Sequence, residues 1–345
     1  MRTRLSSSDP VPSPLDPSTS SGQVTRGKSG HRPVLLHEVI RALDIRSDDI
    51  VVDATLGGAG HARAIAESLG KGGVLIGFDM DADAIERART ALRGTPPSVH
   101  LVCGDFRTMD RELRKRGIMN ITKTLFDLGW SSYQLDSGRG FSFNADEPLL
   151  MTYQKSSEED TLTASTIVNT WSEESLSDII FGFGGERYSR RIAKAIVERR
   201  KKSTFQTSRE LANFIKAHVP PAYRHGRIHP ATRTFQALRI AVNDELGALS
   251  EGLSSAWKML ARGGRIAVIS FHSVEDRIVK RMFAEWEKSG EGKLLAKKPI
   301  APDRAEAQAN PRARSAKLRV IEKISHESSH SKNKQIRPLD FSGET

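Results

Sequence analysis

The chain has 345 residues, enough to bury a full core as one large domain with an insertion or as two domains, so a peptide-sized module is excluded. Its formal net charge of +11 favours a polyanionic partner, nucleic acid first, because each phosphate neutralised by Lys or Arg releases condensed counterions. A single cysteine excludes an internal disulfide and fits a reducing compartment; no apolar run approaches the ~20 residues of a bilayer span, and the N-terminal segment lacks a secretory apolar core.

Residues 1–30 are rich in Ser, Pro and Gly and are expected to stay disordered, since burial there does not offset the ordering entropy. His31 and Arg32 lead into an apolar stripe at helical spacing, Val34 to Leu43, which predicts an entry helix. Ile50, Val51 and Val52 suit a buried parallel strand. It runs into Gly57, Gly58 and Gly60, a turn that lets a ligand approach the backbone, and Ala62 to Leu69 continue as helix. A second strand, Val74 to Phe78, ends at Asp79, an acid suited to the two hydroxyls of a ribose. That acid argues against an ordinary βα connection. The spacing departs from G-x-G-x-x-G, which favours an adenosine-containing ligand such as S-adenosylmethionine over a nicotinamide dinucleotide.

Asp81 is available to cap a helix through Leu92, Val99 to Val102 read as a third strand, and Cys103 is expected as a buried small hydrophobe. Lys123 to Leu128 form a fourth strand ending in D-L-G-W-S-S. This alternation predicts an α/β fold, a parallel sheet with its ligand at the carboxyl ends of the strands.

From Ser137 to Arg233 the alternation gives way to helical segments, which predicts a helical insertion. Ser172 caps a helix ending near Gly184 and Gly185, and Thr207 with Glu210 has the form of a capping box. Arg187 to Lys202 keeps Ile192, Ala195 and Ile196 on one stripe and is basic elsewhere, either a phosphate platform or a plain solvated face. Phe235 to Leu260 reads as one long amphipathic helix, broken by Gly263 and Gly264 before a fifth strand, Arg265 to Ser270. S-F-H-S-V-E-D-R follows and brings a histidine to the sheet edge of Asp53, Asp79 and Asp127. Leu318 to Ile321 make a final strand, and 324–345 read as a disordered tail.

The motifs H-R-P-V-L-L-H-E-V, D-A-T-L-G-G-A-G-H, L-F-D-L-G-W-S-S-Y-Q-L-D, R-G-F-S-F, G-E-R-Y-S-R-R-I-A, H-P-A-T-R-T-F-Q-A-L-R-I, I-S-F-H-S-V-E-D-R-I-V-K and N-P-R-A-R-S-A-K-L-R follow one another along the chain. Together they closely resemble the bacterial ribosomal RNA small-subunit methyltransferase H family, also called MraW, over roughly His31 to Lys323. The resemblance implies a doubly wound, Rossmann-like class I methyltransferase sheet, its core formed by 31–136 and 234–323 around a helical insertion, 137–233. It implies a cytoplasmic enzyme, monomer or homodimer, that needs no metal. Its reaction would be methyl transfer from S-adenosylmethionine to the exocyclic N4 of a cytidine in the decoding region of small-subunit (16S) ribosomal RNA, free or in the assembled subunit.

Carried over motif by motif, the cofactor contacts fall on Ala59, Gly60 and His61 in the turn, Asp79 on the ribose, Phe106 beside the adenine, and Asp127 and Gln134 nearer the methionine end. Asp127 is the expected hydrogen-bond acceptor for the cytosine amino group, with His272 and Ser273 as secondary groups. DNA amino-methyltransferases place (Asp/Asn/Ser)-Pro-Pro-aromatic after this strand; D-L-G-W replaces it here, which favours RNA. Arg187, Arg190, Arg191, Arg199 and Arg200 are expected on RNA phosphates. The chain departs from the family at Ala59, usually glycine, and at E-P-L-L-M-T-Y-Q, residues 147–154, usually G-P-L-D-M-R-M-D. Leu150 and Thr152 thus replace an acid and an arginine. A noncatalytic ribosome-assembly factor and a dehydrogenase are the rival readings, and titration with S-adenosylmethionine and with NAD separates the three.

Overall fold

The computed structural model describes residues 32–324 apart from 130, 131, 136 and 155–160; His31 and the two tails expected to be disordered, 1–30 and all but the first residue of 324–345, lie outside the described residues. Seven strands, β1 Ile50–Asp53, β2 Val74–Asp79, β3 Ser98–Cys103, β4 Ile121–Asp127, β5 Leu260–Ser270, β6 Gly292–Leu294 and β7 Lys317–Lys323, form one sheet in the order β3-β2-β1-β4-β5-β7-β6. The first five are parallel, β7 runs antiparallel to β5, and β6 antiparallel to β7. Strand order reverses between β1 and β4, and such a switch point opens a crevice outside the carboxyl ends of the strands. Asp53, Asp79 and Asp127 end β1, β2 and β4 there.

The central strands are apolar on both sides because both faces are covered. On one face Val51, Leu75 and Leu125 pack with the helices Leu36–Leu43, Gly60–Ser68 and Ala82–Ala91; on the other Val52, Ile76 and Phe126 meet Met109–Lys115, Glu245–Met259 and Ser273–Lys288. A third core lies within Leu149 to Leu238, where Ile167, Leu176, Ile180, Ile192, Phe205 and Leu211 are fully buried. At about 1.5–3 kcal/mol for each such side chain, this helical segment has its own source of rigidity.

Three expectations change. The long helix Phe235 to Leu260 is two helices, Thr232–Asn243 and Glu245–Met259, parted at Asp244 in a left-handed conformation with φ 43°. Amphipathic periodicity continues across a one-residue break and so hides it. Strand β5 starts at Leu260, not after the glycines, because Leu260 already pairs with Ile121 and a register irregularity absorbs Gly263 and Gly264. Cys103 is exposed: it ends the sheet's edge strand, and strand alternation turns it away from the core that Val102 enters. The strand β6 and the helices Met109–Lys115 and Arg304–Ala309 carry no clear periodicity, and only the structure reveals them.

Candidate active site

The turn after β1 is closed by its own residues. Gly57 N–H donates to Asp79 Oδ2 (2.8 Å), Asp81 N–H to Asp79 Oδ1 (2.9 Å), and Thr55 N–H to Asp53 Oδ1 (3.1 Å). Ala59 sits at φ 61°, a left-handed conformation that an L side chain adopts at a cost, and supplies no side-chain cap to the helix Gly60–Ser68. A Cβ on Gly60 would lie 2.3 Å from Pro33 Cγ, so glycine lets the entry segment cross directly over the turn. That crossing brings the Val34 carbonyl 3.0 Å from His61 Nε2.

His61 Nδ1 lies 3.2 Å from Asp127 Oδ2, and both side chains are largely buried. A carbonyl oxygen only accepts, so Nε2 carries a proton, and the Asp127 carboxylate calls for a second on Nδ1. An acceptor at each ring nitrogen favours the protonated ring. Burial opposes that charge, yet the charge and hydrogen bond of Asp127, the charge of Asp53 and the Val34 carbonyl outweigh it and raise the His61 pKa. Asp53 is raised to about 6, first by burial, with the His61 charge and the Thr55 N–H pulling the other way. Burial also raises Asp79, against the N–H groups of Asp81 and Gly57. Asp127 keeps Oδ1 buried and without a hydrogen-bond partner among the described residues.

A cavity of about 600 Å³ opens at this edge. Gly58, Gly60, His61, Asp79, Phe106 and Asp127 line one part. The first N–H groups of the helix Gly60–Ser68 are uncapped by any side chain and suit a carboxylate. Asp79 has lone pairs beyond its two backbone bonds for ribose hydroxyls, and Phe106, set edge-on to Phe126 at 5.4 Å, offers an aromatic surface for an adenine. The donor and acceptor set therefore fits S-adenosylmethionine. Gln134, buried, lines the same cavity.

Phe141, Phe143, Tyr153 and Phe235 form another wall, with Phe271, His272 and Glu275 from the β5 end. His272 caps the helix Ser273–Lys288 in a reciprocal box with Glu275: Glu275 N–H donates to His272 Nδ1, and Glu275 Oε2 accepts from the backbone N–H groups of Phe271 and His272. Ser273 is exposed and does not line the cavity. Thr152 is buried and donates to the Gln154 carbonyl, while Leu150 is exposed. Neither position carries an ion pair among the described residues.

The five arginines of the insertion differ in their surroundings. Arg199 donates to the carbonyls of Ser203 and Thr204 and pairs with Glu210, and Arg200 donates to Val168 O (2.8 Å). Arg191 donates to His218 O. Arg187 is exposed with its guanidinium 4.9 Å and 5.0 Å from the rings of Tyr188 and Tyr223, and Arg190 is exposed. Sequence reasoning missed Arg139, buried and linked to Asp81 (3.2 Å), and buried Arg239 paired with half-buried Glu245 (2.7 Å). Arg239 and Glu245 sit six positions apart across the hidden helix break, so helical spacing carried no signal.

A family model described as the MraW methylase family matches residues 28–324. The chain is 45% identical over 310 residues to ribosomal RNA small subunit methyltransferase H of Brevibacillus brevis, covering 85% of this chain and 98% of that protein. It is 46% identical over 312 residues to the protein of the same name from Deinococcus radiodurans, covering 90% and 95%. Among solved structures, an rRNA methylase from Streptococcus thermophilus aligns over 84% of this chain and 94% of its own, at 12% identity and a TM-score of 0.40.

Proposed function

Since the chain belongs to the MraW methylase family, we propose that it binds S-adenosylmethionine beneath the turn Gly57–His61 and methylates the exocyclic N4 of a cytidine in small-subunit ribosomal RNA. The observation that carries the chemistry is the His61–Asp127 pair, with one carboxylate oxygen held and the other free among the described residues.

A cytosine amino nitrogen is a poor nucleophile because its lone pair is delocalised into the ring. Asp127 Oδ1 accepts one amino hydrogen and draws lone-pair density back to the nitrogen, while His61 holds Oδ2 and fixes the carboxylate plane. S-adenosylmethionine supplies, when bound, a methyl group activated by the sulfonium charge. The nitrogen gains the methyl as the methyl–sulfur bond breaks and leaves a neutral thioether, and the nitrogen's extra proton leaves along the hydrogen bond to Asp127. Alignment of the two reactants is worth up to ~7–11 kcal/mol in ideal cases. The turn, Asp79 and Phe106 hold one reactant, and the aromatic wall the other.

The base has to leave its stack to enter this cavity. Exposed Arg187 and Arg190 support the reading of the helical segment as a phosphate platform, as does the chain's net charge of +11. Arg191, Arg199 and Arg200, tied to carbonyls of their own segment, hold that platform together. No described helix is long and apolar enough to cross a membrane. A ribosomal substrate implies work in the cytoplasm.

Mapping modified cytidines in ribosomal RNA by mass spectrometry, with and without the protein, tests the substrate; one N4-methylcytidine should disappear without it. An unchanged map from a protein that binds S-adenosylmethionine favours the assembly-factor reading. Asp127→Ala should abolish or strongly reduce single-turnover methylation at saturating methyl donor and RNA. Asp127→Asn should keep part of the rate, since an amide oxygen still accepts. A loss confined to cofactor affinity would make Asp127 a binding residue only.

A further inference from the structure

Tyr153 stands where the family pattern G-P-L-D-M-R-M-D has its second methionine. The structure holds it at three points. Its N–H donates to Asn243 Oδ1 (2.9 Å), its carbonyl accepts from Arg139 Nη1 (2.7 Å), and its hydroxyl donates to Glu245 Oε1 (2.7 Å). Glu245 is in turn gripped by Arg239 through bonds of 2.7 Å and 2.9 Å. Burial, ahead of the opposing Arg239 charge, keeps the phenol protonated and therefore donating.

The ring lies nearly parallel to Phe141, with 5.7 Å between centroids and 12° between planes, and both rings line the cavity. Arg139, whose guanidinium is 5.6 Å from the Phe141 centroid, continues from the Tyr153 carbonyl to Asp81, and the Asp81 N–H reaches Asp79. An unbroken run of contacts thus ties the aromatic pair to the acid assigned to the ribose. A methionine has three flexible torsions and no hydroxyl; a tethered tyrosine presents a flat face that loses little rotamer freedom when a base stacks on it.

Resting on the reading that a cytidine enters this cavity, we propose that Tyr153 is a positioning residue. Its ring, backed by Phe141, carries the target cytosine, and its bond to Glu245 sets the register of that base against Asp127. Base stacking on an aromatic side chain is sequence-tolerant and strong enough to change affinity by about tenfold or more.

The test uses the full chain and small-subunit RNA carrying pyrrolocytidine, a fluorescent cytidine analogue, at the methylated position, alongside methylation kinetics on unmodified RNA. Wild type should quench the fluorophore on binding. Tyr153→Ala should lose the quench and raise the RNA KM about tenfold, with S-adenosylmethionine affinity unchanged. Tyr153→Met should also lose the quench. Tyr153→Phe keeps the ring and the quench but loses the tether, so kcat should fall severalfold at nearly constant RNA KM. A Tyr153→Ala protein that quenches like wild type, a Tyr153→Phe kcat equal to wild type, or a parallel loss of S-adenosylmethionine affinity would overturn the assignment. Absence of both quenching and methylation in wild type would instead overturn the cytidine reading beneath it.

Discussion

Ala59 pays for its place with a left-handed backbone, φ 61° and ψ 16°. Restoring glycine removes that strain, and the greater freedom of the unfolded glycine chain offsets part of the gain. Ala59→Gly should therefore stabilise the protein by about 0.5–1 kcal/mol, read as a higher denaturant midpoint at constant slope. Asp53 makes stability depend on pH. Its folded pKa of about 6 lies above the ordinary 3.8, so the folded state binds more protons across that window and stability falls as pH rises through it. His61 runs the same way: the stability its raised pKa contributes is full below 6.5 and is lost as pH climbs through the folded value. Asp53→Asn removes the buried charge and keeps an acceptor for Thr55. Its advantage over wild type should grow by the order of 1–3 kcal/mol from about pH 4.5 to about pH 7.5. Denaturant titrations at the two pH values would show it, and a constant difference would mean that Asp53 does not titrate in this window.

At the scale of elements, the segment from Arg139 to Tyr153 is shaped by its own backbone. Gly140 has φ 76°, and a Cβ there would lie 2.2 Å from the Pro148 carbonyl oxygen, so no rotamer change relieves the clash. Gly140→Ala should destabilise by about 3 kcal/mol and displace the aromatic wall. The expected signature is a lower melting temperature with RNA methylation impaired beyond any loss of S-adenosylmethionine affinity. The break at Asp244 acts on the same wall. It starts a new helix at Glu245, whose carboxylate can then meet both Arg239 and Tyr153.

For the whole molecule, a basic chain that recognises RNA should show a steep salt dependence, and the surroundings of its arginines sort their roles. Replacing Arg187 and Arg190 with Gln should lower the slope of log affinity against log salt by about 1 for each phosphate that is no longer neutralised, with melting temperature unchanged. Replacing Arg199 and Arg200 should lower the melting temperature instead, because Glu210 and the carbonyls of Val168, Ser203 and Thr204 lose the donors that these arginines supply. Equal salt slopes for wild type and the first double variant would make that face merely solvated.

The parallel sheet, the glycine turn and the acids at the strand ends are legible along the chain, because local periodicity and strand-end position are read directly there. Asp79 and Asp127 reach one edge simply because each ends a parallel strand. The caps at Ser172 and Thr207 were legible for the same reason, each acting on the backbone within three residues. Pairing between distant residues emerges on folding: the Val34 carbonyl and Asp127 on either side of His61, the run from Asp79 through Asp81 and Arg139 to Tyr153, and the break that brings Glu245 to Arg239. These contacts depend on where the entry segment and the insertion cross the sheet edge. No local pattern encodes that crossing, since it is set by cores assembled from residues far apart in the chain.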